Sequence, residues 1–435
     1  MQKTQPLTLR RNFSWTFIGN AVYAACQWGM LVVLAKLGSP EMVGQFSLGF
    51  AVTAPVVMFT NLQLRQVQAT DAKQQYLFGD YLALRLIATG LALLIIAGIA
   101  FSKIYPWETA LVILLVGLAK AVESVSDVFH GLFQHRERMD RIAISMMLKG
   151  PMSLLLLVIG VYVSGSVAWG VIGLICAGTI VLIAYDIPRT ALLLSHPSPI
   201  LQSQELQKTQ LADTLKPRWH LRKLGKLAWL TLPLGLGMML VSLNSNIPNY
   251  LIENYLGGWE LGIFAAIAYL MEIGNRVVIA LGESAVARLA QYYAAGKSIL
   301  FLRLLFKLVG IGALLGGTGV LVSLIAGKQV LTFIYRPEYA QYTNLLVWLA
   351  IAAGIRYMAN FLGYGMTAAR YFRIQMPLFG FVTVILAVAS LWLLPKVGLI
   401  GGAIALLLAA IAQGVISLAA IYHALFALNK RTSKI

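Results

Sequence analysis

Acidic residues are scarce in this chain. Asp and Glu number 16 against 34 Lys and Arg, and only 11% of the 435 residues are charged at all, where soluble domains carry about 25%. Despite the net charge of +18, that leaves no soluble domain to carry nucleic-acid binding, and nucleic acid is excluded as a partner. Cysteine is nearly absent: Cys26 and Cys176 both fall in apolar stretches. A disulfide framework is thereby excluded, and both read as small packing residues. No metal-ligand spacing or nucleophile constellation is present. Gly296-Lys297-Ser298 lacks the upstream glycine of a nucleotide loop, that position being Gln291. The expectation is a protein that is not an enzyme and uses neither cofactor nor metal.

What fills the chain is apolar. Hydrophobic residues make up 59% of it and mean hydropathy is +0.78. Runs of about 20 apolar residues, the length that crosses hydrocarbon as a helix, recur from end to end. The sequence therefore predicts an all-α, polytopic membrane protein with about twelve spans. They lie near 13 to 37, 43 to 64, 80 to 101, 107 to 130, 142 to 163 and 167 to 187, then 226 to 247, 259 to 284, 300 to 327, 340 to 367, 374 to 394 and 398 to 427.

Lys and Arg sort between the loops. The amino terminus (Lys3, Arg10, Arg11), Arg65 with Lys73, the cations from Arg136 to Lys149, those from Arg189 to Lys226, Arg288 with Lys297 and Arg303, Arg370 with Arg373, and Lys430 to Lys434 share one side. That is about 24 cations against about 5 opposite (Lys36, Lys103, Lys328, Arg336, Lys396), and cytoplasmic loops carry such an excess. Both termini are expected in the cytoplasm, with part of the charge attracting anionic membrane lipid. His130 and His135, near a cytoplasmic helix end, read as surface residues.

The chain reads as a duplication. Gly38, Glu41, Gly44 and Phe46 resemble Gly257, Glu260, Gly262 and Phe264, and Leu84-Arg85-Leu86 matches Leu302-Arg303-Leu304. Six spans per half is an even number, so the halves enter the membrane from one side and are expected to be related by a pseudo-two-fold along its normal. The predicted organisation is an amino-terminal six-helix lobe over 1 to 187, a basic, Pro-containing cytoplasmic linker over 188 to 225, and a second six-helix lobe over 226 to 435.

Charges inside spans mark the candidate site. A charge at the bilayer centre costs roughly 2.5 to 3.5 kcal/mol on insertion scales, so it faces a bundle interior or a wet cavity. In the fourth span Lys120, Glu123, Asp127, Gly131 and Gln134 fall on one stripe, and in the tenth Arg356, Asn360, Gly363 and Thr367 do the same. Tyr269, Glu272, Arg276 and Glu283 share a face of the eighth span; Ser242, Asn246, Asn249 and Glu253 line up on the seventh or just beyond it. Asn20, Tyr23 and Gln27 follow one another on the first, and Arg85 sits on the third. The expected substrate-binding residues are Lys120, Arg356, Arg85, Arg276, Asn20, Gln27, Asn246 and Asn360; the candidates for ion coupling are Glu123, Asp127, Glu272 and Glu283. Each has a structural alternative. Glu272 with Arg276, and Lys120 with Glu123, also suit helix-locking pairs, and Arg85 suits a snorkelling end residue. Arg356 has no acid at helical spacing, which favours an anionic ligand. Gly312 and Gly316 read as a close helix seam.

Several segments resemble one family. They are Asn12-Phe13-Ser14-Trp15 leading to Gly19-Asn20, the turn from Leu37 to Phe46, Arg85, Glu123 to Asp127, and Gly131 to Asp140. Together they resemble polysaccharide-unit flippases of the Wzx type, in the multidrug, oligosaccharidyl-lipid and polysaccharide exporter superfamily. The resemblance implies two six-helix lobes around a central cavity and a multi-pass protein of the bacterial inner membrane. It further implies flipping of an undecaprenyl-pyrophosphate-linked oligosaccharide from the cytoplasmic to the periplasmic leaflet by alternating access. A monomer is expected, with a polysaccharide polymerase nearby; H+, Na+ and the membrane potential all stay open as the source of coupling. Two rivals are an ion-coupled drug exporter of the same superfamily and a membrane glycosyltransferase or polymerase. The first would carry acidic residues in its first or seventh span core, which this chain lacks, and the second a large external loop.

Overall fold

A computed structural model describes residues 8–71, 75–102, 105–194, 216–369 and 371–432. Most of the expected linker, 195 to 215, and Lys3, Lys73, Lys103, Arg370 and Lys434 of the charge pattern lie outside the described residues. Every regular element among the described residues is helical. Twelve helices are long and apolar enough to cross a membrane: Arg10–Leu37, Pro40–Thr70, Phe78–Ala100, Trp107–His135, Met139–Ser164, Val167–Leu194, Leu221–Leu256, Gly258–Ala294, Ser298–Ile334, Pro337–Ala368, Ile374–Val397 and Leu399–Phe426. This is a multi-pass membrane protein, and the helices are numbered below as spans one to twelve.

The predicted spans are all present, but several run longer. The eighth and ninth helices have 37 residues each, about 55 Å at 1.5 Å per residue, well beyond the roughly 30 Å of hydrocarbon. Arg288 lies in such an extension. The seventh helix likewise continues to Leu256, which places Glu253 in its last turn rather than beyond it.

Local chemistry sets the boundaries. Pro40 opens the second span at a position where a missing N–H costs nothing, and Ser166 caps the sixth through its side chain on Ala168 N. Gly165, Gly257 and Gly398 take the positive φ required at the turns around spans five and six, seven and eight, and eleven and twelve. The second span breaks at Leu62 and Gln63, both at φ 52°, and a short helix, Leu64–Thr70, follows and packs on the fourth span.

The chain forms two compact units, Met1–Ser242 and Leu243–Ile435. The division falls within the seventh helix, downstream of the linker where the sequence reading set the boundary. The reason lies in the core of the first unit: Leu224 and Leu227, at the start of the seventh helix, are buried in one cluster with Leu62, Leu64, Phe78, Tyr81, Phe129 and Leu132.

Within each unit one helix is the hub. The fourth span packs on the second, third and sixth; the second packs on the third and the fifth on the sixth. In the second unit the tenth packs on the eighth, ninth and twelfth, the eighth on the ninth and the eleventh on the twelfth. These are the same five neighbour relations, shifted by six spans. Glycine permits the close approach of the ninth and tenth: a methyl built on Gly316 of the ninth span would lie 2.3 Å from Gly354 Cα of the tenth.

Candidate functional site

The hub helices carry the polar stripes, and the stripes face their neighbours. On the fourth span Lys120 and Glu123, one turn apart, join Nζ to Oε2 at 2.8 Å. The other carboxylate oxygen accepts from the Tyr23 hydroxyl of the first span at 3.1 Å and faces Lys149 Nζ of the fifth at 3.5 Å. Lys149 lies over the Tyr23 ring and Lys120 over the Phe50 ring, cation–π contacts that strengthen where water is scarce. These groups line a cleft with Gln27, Met30, Ser126, Ser153 and Leu174. One carboxylate between two ammonium groups leaves the cleft one positive charge in excess.

One of those residues corrects the sequence reading. Lys149 was sorted with the loop cations, yet it lies inside the fifth helix, is 8% exposed and is turned to Glu123. Its position within the apolar run 142 to 163 was the available signal. Asn20, by contrast, is exposed and donates to Thr16 of its own helix.

One turn along the fourth span, Asp127 meets two guanidinium groups. Arg85 Nη2 stands 3.1 Å from Oδ2, and Arg65 Nη1 3.4 Å from Oδ1. Arg85 also donates to Asn61, and Arg65 donates to Gln134 at 3.0 Å. Gly131 makes room for this arrangement, since a methyl there would lie 2.3 Å from Gln68 of the short helix. Arg85 is wholly buried. It is neither a snorkelling end residue nor available to a ligand in this conformation, because its charge is neutralised inside the first unit. Breaking a buried pair of this kind is strongly destabilising.

A third cluster went unread in the sequence. His130 is 5% exposed, not a surface residue, and its Nε2 lies 3.1 Å from Ser145 Oγ and 3.6 Å from Asp186 Oδ1. Ser126 donates to the other Asp186 oxygen at 2.5 Å. Asp186 ends a π-helical turn, Leu182–Asp186, in the sixth span. At the end of the fourth span, Arg138 holds Asp140 by two bonds of 2.7 and 2.8 Å. Those bonds raise the Arg138 guanidinium above its ordinary range even though burial opposes them.

In the second unit the tenth span reaches two neighbours. Arg356 Nη2 stands 2.6 Å from Glu272 Oε1 of the eighth span, so its counter-charge comes from across the helix seam, not from its own helix. The expected Glu272–Arg276 pair is replaced by this contact, and Arg276 is exposed. Asn275 donates to the second Glu272 oxygen, Asn360 to Asn275, and Gln413 of the twelfth span to Asn360, at 2.9, 3.1 and 3.3 Å. Gln413 was not anticipated. Asn246 accepts from Asn249 within the seventh helix at 3.5 Å, and Glu283 is exposed; neither they nor Arg276 joins this row. Among the described residues no group of three or more His, Cys, Asp and Glu side chains is placed to hold a metal ion.

No protein-family model matches the chain. Its sequence is 27% identical over 400 residues to "Capsular polysaccharide biosynthesis protein CapF" of Staphylococcus aureus, covering 91% of this chain and 94% of that protein. Its fold is similar to the inward-facing conformation of a multidrug resistance MATE family transporter of the MOP superfamily, at TM-score 0.64 and 14% identity over 95% of this chain and 99% of the other. It is also similar to the lipid II flippase MurJ in an inward closed conformation, at TM-score 0.67 and 12% identity over 95% and 89%. The chain has the fold of these transporters along nearly its whole length.

Proposed function

We propose that this protein flips a lipid-linked oligosaccharide, carried on undecaprenyl pyrophosphate, from the cytoplasmic to the periplasmic leaflet of the bacterial inner membrane by alternating access. The observation that carries this reading is the end-to-end similarity to a capsular polysaccharide biosynthesis protein, in a chain with the fold of membrane transporters. The cleft of the first unit supports it. Lys120 and Lys149 offer charge to phosphate or acidic sugar, while Tyr23 and Gln27 offer hydrogen bonds to hydroxyls, and the tail stays in lipid.

Deletion of the protein in its host tests the reading. Lipid-linked saccharide should accumulate on the cytoplasmic leaflet, measured by extraction and by its resistance to sugar-modifying enzymes added to intact spheroplasts. A deletion strain with normal surface polysaccharide and altered sensitivity to cationic drugs would instead favour a drug exporter. Accumulation of lipid-linked units already on the outer leaflet would place the defect after flipping and overturn the proposal.

A further inference from the structure

Asp186 is an acid in the first unit for which the transport reading has no use. It is wholly buried, and its Oδ1 has no hydrogen-bond partner. A buried carboxylate oxygen left in that state costs several kcal/mol unless something joins it. The nearest group is the imidazole of His130, 3.6 Å away and itself buried. Thr190, one turn further along the sixth span, also keeps a buried hydroxyl without a partner. The π-helical turn that ends on Asp186 adds one residue to the helix, an irregularity frequent at functional positions.

We propose that His130 and Asp186 form a proton-binding site, exchanging one proton with water as the transporter cycles. Loading adds one proton to the neutral imidazole, giving imidazolium beside carboxylate; unloading returns it and leaves the carboxylate alone. A ring nitrogen in the set favours a proton over an alkali cation, which takes oxygen ligands. The neighbouring charges are engaged elsewhere. On the fourth span Glu123 holds Lys120 and Lys149, and Asp127 holds Arg65 and Arg85. On the fifth, Arg141 donates to the Arg189 carbonyl at 2.7 Å, and on the sixth Arg189 lies over Tyr185. Ser126 links the pair to the lysine cleft, because it lines that cleft and donates to Asp186. Proton occupancy therefore alters a hydroxyl at the cleft wall. This link and the coupling to a cycle rest on the transport reading; proton binding by the pair does not.

The full chain has five histidines, few enough to resolve by ring-nitrogen NMR of the purified protein in lipid nanodiscs, with His130→Gln assigning the signal. His130 should pass from neutral ring to imidazolium as the solution is acidified, and in Asp186→Asn that passage should need at least about tenfold more acid, since the carboxylate favours the charged ring. If Asp186→Asn does not fold, Ser126→Ala tests the same pair by changing the acceptor load on the carboxylate, and the His130 curve should move. A ring that keeps one state throughout overturns the proposal, as does a curve unchanged in the variant. A signal that answers to sodium chloride but not to pH also overturns it, in favour of a cation. None of these measurements contains a saccharide, so their failure leaves the flippase reading to the deletion experiment.

Discussion

At the scale of single residues, partnership decides what each intramembrane charge does. Lys149 and Lys120 share one carboxylate, so either can be neutralised without stranding an unpaired acid. Lys149→Gln should therefore leave membrane abundance near normal while cutting surface polysaccharide severalfold, read by immunoblot and by polysaccharide assay on the same cells; normal export by the variant would remove Lys149 from the path. Arg356 behaves differently because Glu272 faces it alone among cations at salt-bridge distance in the described residues. Arg356→Ala should lower the thermal midpoint of the purified protein, and Glu272→Gln added to it should recover part of the loss. Strict additivity of the two changes would show that the pair contributes nothing. The stripe on the tenth span was visible in the sequence, but the acid opposite Arg356 was not. Helical spacing reports only neighbours on one helix, and Glu272 is 84 residues away. Lys149 was misread for another reason: counting loop cations treats every Lys near a helix end as solvated, whereas this one lies ten residues into its helix.

At the scale of elements, length and hydropathy made all twelve helices legible, because lipid allows few alternatives to a helix. The extensions of the seventh, eighth and ninth were not legible, since polar residues that continue a helix into water read as loop. The π-helical turn hid Asp186 in a similar way, as one extra residue shifts every later position off the 3.6-residue pattern. The seam between the ninth and tenth spans gives a direct test of packing. Gly to Ala in an exposed helix stabilises by up to about 1 kcal/mol, and Gly317, with open space around its Cβ direction, should show that gain or no change. Gly316→Ala should reverse the sign, because the new methyl would meet Gly354 backbone. Thermal midpoints of the two variants, measured side by side in one detergent, check the contrast; equal midpoints would mean the seam opens at little cost.

At the scale of the whole molecule, the distribution of Lys and Arg predicts how the chain is threaded. Alkaline phosphatase fused near Gln204 or after Lys434 should be inactive and a fusion near Lys396 active; high activity at Gln204 would invert the threading. Five neighbour relations of spans one to six recur, shifted by six, among spans eight to twelve, and in both units the hub helix turns charged residues toward the helices packed on it. A helix held in that way has little freedom to repack, so a charge on it can change only together with the partner that faces it. Variation in cargo between descendants of such a protein should then concentrate in a few positions a turn apart. Exchanging Tyr23, Lys120, Glu123 and Lys149 as a set between two relatives should transfer preference for the saccharide while leaving the rest of the scaffold intact.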